Sequence, residues 1–283
     1  MLLFRMRKVR LKVLLRRGTP CALALRNENS AHSARKWQIN MNDRITYAVF
    51  TDKGDREINE DSVGVCQGEA GCCFVLCDGL GGHGMGDVAS SLAVEVFKDQ
   101  FAKSDDAVNF LGQAFRASQD IIMAEQAARN ARKRMKTTCV CIAADDRNAY
   151  VGHVGDSRGY VFFKNKVRTR TVDHSIPQML AITGEIKESQ IRNHPDRNIL
   201  LRVLGVEWEE DMHELMAPIP LKKCQAFLLC SDGFWELIEE SEMCRLLKKA
   251  NSADEWLSAM AQIVKENGKN RNMDNYSAIA VWL

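Results

Sequence analysis

No stretch of the 283 residues stays apolar over the roughly 20 positions that a bilayer-spanning helix needs, so a transmembrane helix is not expected. The first 40 residues also lack the continuous apolar core of a secretory signal, because Arg or Lys interrupts them at positions 5, 7, 8, 10, 12, 16 and 17. No internal repeat or low-complexity tract is present, which removes solenoids and disordered linkers from consideration. No Gly-Lys-Ser/Thr occurs, so there is no P-loop. Net charge is nearly absent too, with 39 basic residues against 37 acidic ones, but the balance hides an asymmetry. Residues 1–40 carry ten Lys/Arg and a single acid, Glu28, whereas residues 41–283 carry 29 basic and 36 acidic side chains. An acidic body of this kind is a poor binder of a phosphate backbone, and no nucleic-acid partner is expected.

What is present is enough to build a core. Hydrophobic residues make up 46% of the chain and charged ones 27%, the composition of a folded globular protein. Residues 1–43 are expected to form a disordered basic arm, with an Arg-rich organelle-targeting segment as the alternative, and residues 44–283 one structured domain. Ten cysteines are present, none in Cys-x-x-Cys spacing, so a zinc ribbon is excluded. They fall inside apolar runs, Cys72-Cys73-Phe74-Val75-Leu76-Cys77 and Cys139-Val140-Cys141-Ile142. Such runs read as buried strands in which free thiols act as small hydrophobes, and thiols kept reduced point to a reducing compartment, the cytoplasm.

Alternation predicts strands at 45–50, 62–66, 72–77, 138–144, 149–154, 159–163, 226–230 and 277–283. Helical spacing of Val88, Leu92, Val96 and Phe97, and of Phe110, Ala114, Phe115, Ile121 and Ile122, predicts two long helices. Two more are expected at about 241–250 and 252–266. Strands, paired helices, strands, paired helices and a last strand do not make the βαβ alternation of a parallel sheet. The order fits an α+β fold of mostly antiparallel sheets with helices packed outside.

The chemistry lies in carboxylates at strand ends. Phe74–Cys77 runs into Asp78-Gly79, Val151–Val154 into Gly155-Asp156-Ser157-Arg158, and Phe227–Cys230 into Ser231-Asp232-Gly233. Asn59-Glu60-Asp61-Ser62 and Met273-Asp274-Asn275 border two further strands. Each acid alone reads as a turn or a helix cap. Five such places in one domain repel one another unless a cation neutralises them, and an acid-only donor set suits hard ions such as Mg²⁺ or Mn²⁺ rather than zinc. Gly79-Leu80-Gly81-Gly82-His83-Gly84 satisfies the dinucleotide pattern G-x-G-x-x-G. Residues 88–101 are helical in spacing where that motif requires a second strand, and Asp78 would set a negative charge beside a pyrophosphate, so this reading is set aside.

In their order along the chain these elements resemble the metal-dependent Ser/Thr protein phosphatases, the PPM or type 2C family, in its bacterial branch. Arg56–Ser62 is similar to R-x-x-N-E-D-S, and Asp78–His83 to D-G-M-G-G-H with Leu80 in the Met place. Thr137-Thr138 resembles G-T-T with Lys136 in place of Gly. Gly155–Arg158 matches G-D-S-R, Asp173–Ser175 matches D-H-S, and 194–205 resembles H-P-x-R-N…R-x-L-G. Ser231–Gly233 and Asp274-Asn275 complete the set, and the likeness covers residues 44–283.

The resemblance implies a central β-sandwich of two antiparallel sheets flanked by pairs of helices, with two Mn²⁺ or Mg²⁺ ions at one edge. It implies that Asp78 bridges the ions, that the Gly79 carbonyl joins one of them, and that Asp232 and Asp274 complete the other. Glu60 and Asp61 would hold metal-bound waters or a metal directly, Asp156 a weaker third ion, and Arg56 the substrate phosphate. The implied reaction is hydrolysis of phosphoserine or phosphothreonine in proteins by a metal-bridging hydroxide. No thiol nucleophile is called for. Many eukaryotic members carry His where Leu80 stands, which leaves the general acid open between His83 and a metal-bound water. A flap at about 176–195 beside the pocket, phosphoprotein substrates, a cognate Ser/Thr kinase pathway and a monomeric state are also expected. The alternatives are a catalytically inactive phosphoprotein-binding scaffold of the same fold and a hydrolase of another phosphoester.

Overall fold

A computed structural model describes residues 35–38, 45–81, 84–132 and 134–283. Its strands are β1 (Arg35–Gln38), β2 (Thr46–Asp52), β3 (Asp61–Gly68), β4 (Gly71–Asp78), β5 (Cys139–Ala144), β6 (Asn148–Val154), β7 (Arg158–Phe163), β8 (Lys166–Arg170), β9 (Glu214–Leu215), β10 (Ile219–Pro220), β11 (Ala226–Cys230) and β12 (Tyr276–Trp282). The helices are α1 (Gly86–Ala102), α2 (Ala107–Ala128), α3 (Ile176–Thr183), α4 (Asp232–Trp235), α5 (Glu240–Lys249) and α6 (Ala253–Gly268).

One sheet runs β1-β2-β12-β11-β7-β8 and the other β10-β6-β5-β4-β3, with β9 also on β6. All pairings are antiparallel. The central strands are buried on both faces, which is why they read as unbroken apolar runs. The period of two then divides each strand between two cores. In β4, Phe74 and Leu76, beside Val140 and Ile142 of β5, face the other sheet, where Phe227, Leu229 and Ile279 meet them. Cys73, Val75 and Cys77 face α1 and α2, and pack with Phe97, Phe110 and Phe115. On the far side, Leu228, Cys230 and Ala280 pack with Trp256, Leu257 and Met260 of α6. Each such aromatic or aliphatic side chain withdrawn from water contributes roughly 1.5–3 kcal/mol. The cysteines of the described residues are free thiols, as their placement in strands suggested.

Several elements differ from the sequence reading. The fully buried stripe of α1 runs through Ala89, Ala93, Val94 and the expected Phe97, while Val88 and Leu92 pack against the core only in part. β8, with Lys166, Arg168 and Arg170, is a charged edge strand, and β9 and β10 are two-residue pieces. None of the three has the apolar alternation that marks a strand. β1 pairs with β2 inside the segment expected to be a disordered arm, so the described sheet reaches upstream of Arg44. The rest of that arm lies outside the described residues. The segment expected to be a flap holds α3, started by Pro177 and ended by Gly184 at φ 81°, followed by a 3-10 turn at Glu188–Asn193.

Candidate metal centre

The antiparallel registers bring the acidic strand ends together. Asp61 opens β3 directly opposite Asp78 at the end of β4. Asp232 begins α4 just after β11, and Asp274 precedes β12, which pairs with β11. Asp156 sits in the turn from β6 to β7, the latter pairing with β11 as well.

Backbone contacts fix these ends. The Thr138 amide and the Thr137 hydroxyl both donate to the Asp78 carbonyl, at 2.8 Å each, and the Asp78 amide donates to Thr138 Oγ1 at 3.1 Å. Gly155 turns at φ 99° against the Thr138 side chain, a conformation and a clearance that admit no Cβ. A Cβ on Gly79 would strike the Gly86 and Glu60 carbonyls, so only glycine lets this backbone close in. Among the described residues no hydrogen bond takes up the Gly79 carbonyl oxygen. Asn275 ties the Arg56 loop to Asp274: its amide nitrogen donates to the Lys53 and Ile58 carbonyls at 2.9 and 3.0 Å, and its oxygen accepts from the Glu60 amide at 2.8 Å.

The electrostatics are those of a site short of positive charge. Burial and then the charges of Asp61, Asp232, Asp156 and Asp274 hold the Asp78 carboxyl well above the ordinary carboxylate range. Burial and then Asp156, Glu236 and Asp274 do the same to Asp232. Asp61 is pushed up to about 7, mainly by burial and against hydrogen bonds from Ser277 and Ser231. Asp156 is also pushed up to about 7, by burial and then by Asp173. Ser231 donates to Asp61 Oδ2 at 2.8 Å, while Asp61 Oδ1 is buried with no hydrogen-bond partner among the described residues. An orphaned, buried carboxylate oxygen among mutually repelling acids, with only hard oxygen donors around it, fits a divalent cation of the Mg²⁺ or Mn²⁺ kind.

Asp61, Asp78, Asp156, Asp232 and Asp274 thus form one electrostatically connected cluster, with Gly79 beside it. Arg56 lies at its half-exposed rim, Nη2 2.8 Å from Asp274 Oδ2. Glu60 is also near, but its carboxylate accepts hydrogen bonds from the Gly86 and Asp87 amides and so caps α1, whose Met85 supplies no side-chain cap. His83 lies outside the described residues. Asn275, Ser231 and the Thr137-Thr138 pair stand in the motifs that carry the resemblance, but the sequence assigns them no role of their own. Glu236 lies beside Asp232 but is engaged by Arg197, Nε to Oε1 at 3.0 Å. His153 and His174 stack at 4.5 Å; His153 Nε2 bonds the Val172 carbonyl, and His174 Nδ1 accepts from the Gly155 amide. His174 Nε2 also lies 3.4 Å from Glu214 Oε2, and the two histidines and Glu214 offer ligand atoms within 4.8 Å of one another, while the bond to the Gly155 amide lets His174 brace the Asp156 turn.

Fold and site together define a phosphatase architecture. Residues 53–276 match the family model for protein phosphatase 2C, and the chain belongs to that family. It is 34% identical over 213 residues to the serine/threonine phosphatase stp of Listeria welshimeri, covering 72% of this chain and 84% of that protein. The crystal structure of serine/threonine phosphatase Stp1 from Staphylococcus aureus superposes with a TM-score of 0.76 at 28% identity, covering 90% of this chain and 99% of that one. The catalytic domain of the serine/threonine protein phosphatase PstP in complex with two manganese ions superposes with a TM-score of 0.71 at 26% identity, covering 84% of this chain and 98% of that one.

Proposed function

We propose that this chain is a metal-dependent protein phosphatase that hydrolyses phosphoserine and phosphothreonine, with Mn²⁺ or Mg²⁺ held by Asp78, Asp232, Asp274, Asp61 and the Gly79 carbonyl, and a further ion by Asp156. The observation that carries this reading is the set of buried carboxylates held far above their ordinary range, one of them with an orphaned oxygen. Likeness to phosphatases named for serine and threonine supports the substrate class. The chemistry supplied by such ions is polarisation of phosphoryl oxygens and acidification of water.

The side chains of the chain do the rest. Thr137, Thr138 and Asn275 hold the acids in place before substrate arrives, so little reorganisation is left to the reaction. Arg56, pre-aimed by Asp274, offers its planar fork to the phosphoryl oxygens at the rim. The leaving Ser or Thr oxygen takes its proton from His83 or from water, and the cysteines have no part, since burial raises the strand thiols out of the reactive range. The substrate partners are phosphoproteins and the opposing enzyme a Ser/Thr kinase. The protein acts as a monomer in the cytoplasm. Among the described residues no helix is long and apolar enough to cross a membrane.

Hydrolysis of a phosphothreonine peptide with Mn²⁺, with Mg²⁺ and with EDTA, beside Asp78→Ala, tests the reading. Turnover should need the cation and vanish in the variant. Folded protein without turnover in either metal would return the weight to a phosphoprotein-binding scaffold.

A further inference from the structure

The acid pair Asp156 and Asp232 is joined from behind by one indole. Trp235 stands at the end of the short helix that Asp232 begins, it is buried, and its Nε1 donates to the Asp156 backbone carbonyl at 3.0 Å. One side chain therefore spans the two loops that carry these acids. Its ring is in turn held by two guanidinium groups. Arg158, two residues beyond Asp156, lies 3.4 Å above the ring centroid. Arg192, in the flap's 3-10 turn, lies 5.3 Å from it. Arg158 is anchored by Asp173, Tyr160 and Glu240, at 2.6, 3.1 and 3.4 Å. Arg192 bonds Glu240 at 2.8 Å and approaches Glu239 at 3.4 Å, while its Nη1 is buried without a hydrogen-bond partner. A guanidinium with an unmatched nitrogen gains from a desolvated indole face, the strongest of the aromatic partners for a cation.

We infer that Trp235 is a positioning residue: it sets the spacing of Asp156 and Asp232, and through Arg192 it ties cation affinity at that pair to the seating of the flap. The inference rests on the proposed reading of these acids as cation ligands. Nothing in it requires Trp235 to touch substrate or metal. Contacts of this kind behind ligating groups commonly alter affinity by about 10- to 100-fold.

The test is Mn²⁺ binding to the full chain, followed by the EPR signal of the free ion. Trp235→Phe keeps an aromatic ring for the two arginines and removes the indole N–H together with the second ring, which costs some stability at this buried position. Its weakest class of Mn²⁺ sites should lose roughly tenfold in affinity, with the tighter class unchanged and the metal-free chain still folded. Arg192→Met should shift the same class in the same direction by less, and the double variant should lose no more than the sum of the single losses, because both act through one ring. Superimposable titrations for Trp235→Phe and wild type, with Asp156→Asn still shifting the weak class, would overturn the role of Trp235 and leave the ligand reading standing. Titrations unchanged even in Asp156→Asn and Asp232→Asn would remove the ligand reading and the inference with it. Should Trp235→Phe fail to fold, Arg192→Met decides the flap link alone: an unchanged weak class overturns it.

Discussion

Asp173 and Asp156 are both buried where β7 begins, and the protein treats their charges in opposite ways. Asp173 is met by two arginines, a bidentate Arg158 at 2.9 and 2.6 Å and Arg170 at 3.3 Å. Among the described residues Asp156 receives no salt bridge; burial and the charge of Asp173 itself push it up to about 7. The same contrast runs across the domain. Beneath the flap, Arg158, Arg170 and Arg192 neutralise Asp173, Glu188, Glu239 and Glu240. At the strand ends, no basic side chain among the described residues pairs with Asp61, Asp78, Asp156 or Asp232, and Arg56 bridges Asp274. Where a carboxylate serves the architecture, the chain provides its own counter-charge. Where it is left uncompensated, the counter-charge must come from outside the chain, and that difference separates scaffold from site more sharply than burial does.

Substitution should split the two regions. Asp232→Asn removes one charge from a self-repelling group, so turnover should fall by at least about a hundredfold. In EDTA the variant should resist urea at least as well as wild type. Asp173→Ala strands Arg158 in the interior and should cost about 3–5 kcal/mol in the same urea measurement. Equal destabilisation by both variants would erase the distinction. Wild-type turnover in Asp232→Asn would take that acid out of the metal set.

Titration gives a second separation of smaller size. In the folded, metal-free chain Asp61 and Asp156 titrate at about 7, against about 3.9 when unfolded. Between those limits the folded state holds protons that the unfolded state has lost, so these groups make stability fall as pH rises from about 4 to about 7. Urea midpoints in EDTA at both ends of this window should show a decline that is shallower in Asp61→Asn, and saturating Mn²⁺ should abolish it. A slope identical in Asp61→Asn and wild type would show that Asp61 does not carry the uncompensated charge.

The contrast also explains what could be read from the sequence. Both-face burial leaves long apolar runs, so β4, β5, β6, β7 and β11 were legible, as were the acids that follow the runs of β4, β6 and β11 and the helix pairs that cover the sheets. The counter-charges were not. Nothing near Arg158 in sequence singles out Asp173 over its neighbours; the pairing arises because β7 and β8 fold back on each other. Asn275 bridges to Lys53 and Ile58, more than two hundred positions away, through the pairing of β12 with β2, and register of that range has no local signature. Glu60 shows the converse limit. A motif placed it among the metal acids, while the fold also commits it to the N-terminus of α1, which no spacing within the motif announces. β8 went unseen because an edge strand guarded by Lys and Arg looks like a solvated loop.

Arg56 stands between the two regions and gives the finest test. It is the basic side chain that salt-bridges an acid of the cluster, yet both partners are about half exposed, 47% and 45%, so the bridge itself adds little stability. If its value is instead to present a fork to the phosphoryl group, Arg56→Ala should leave the urea midpoint within error. It should raise KM by roughly tenfold with a smaller fall in kcat, the mark of binding lost in ground state and transition state alike. Arg56→Lys should recover only part of the loss, since a single ammonium cannot bridge two oxygens. A fall in kcat with KM unmoved would place the guanidinium in the transition state alone. A drop in stability with unaltered kinetics would move Arg56 to the scaffold side of the division, as a partner of Asp274 and nothing more.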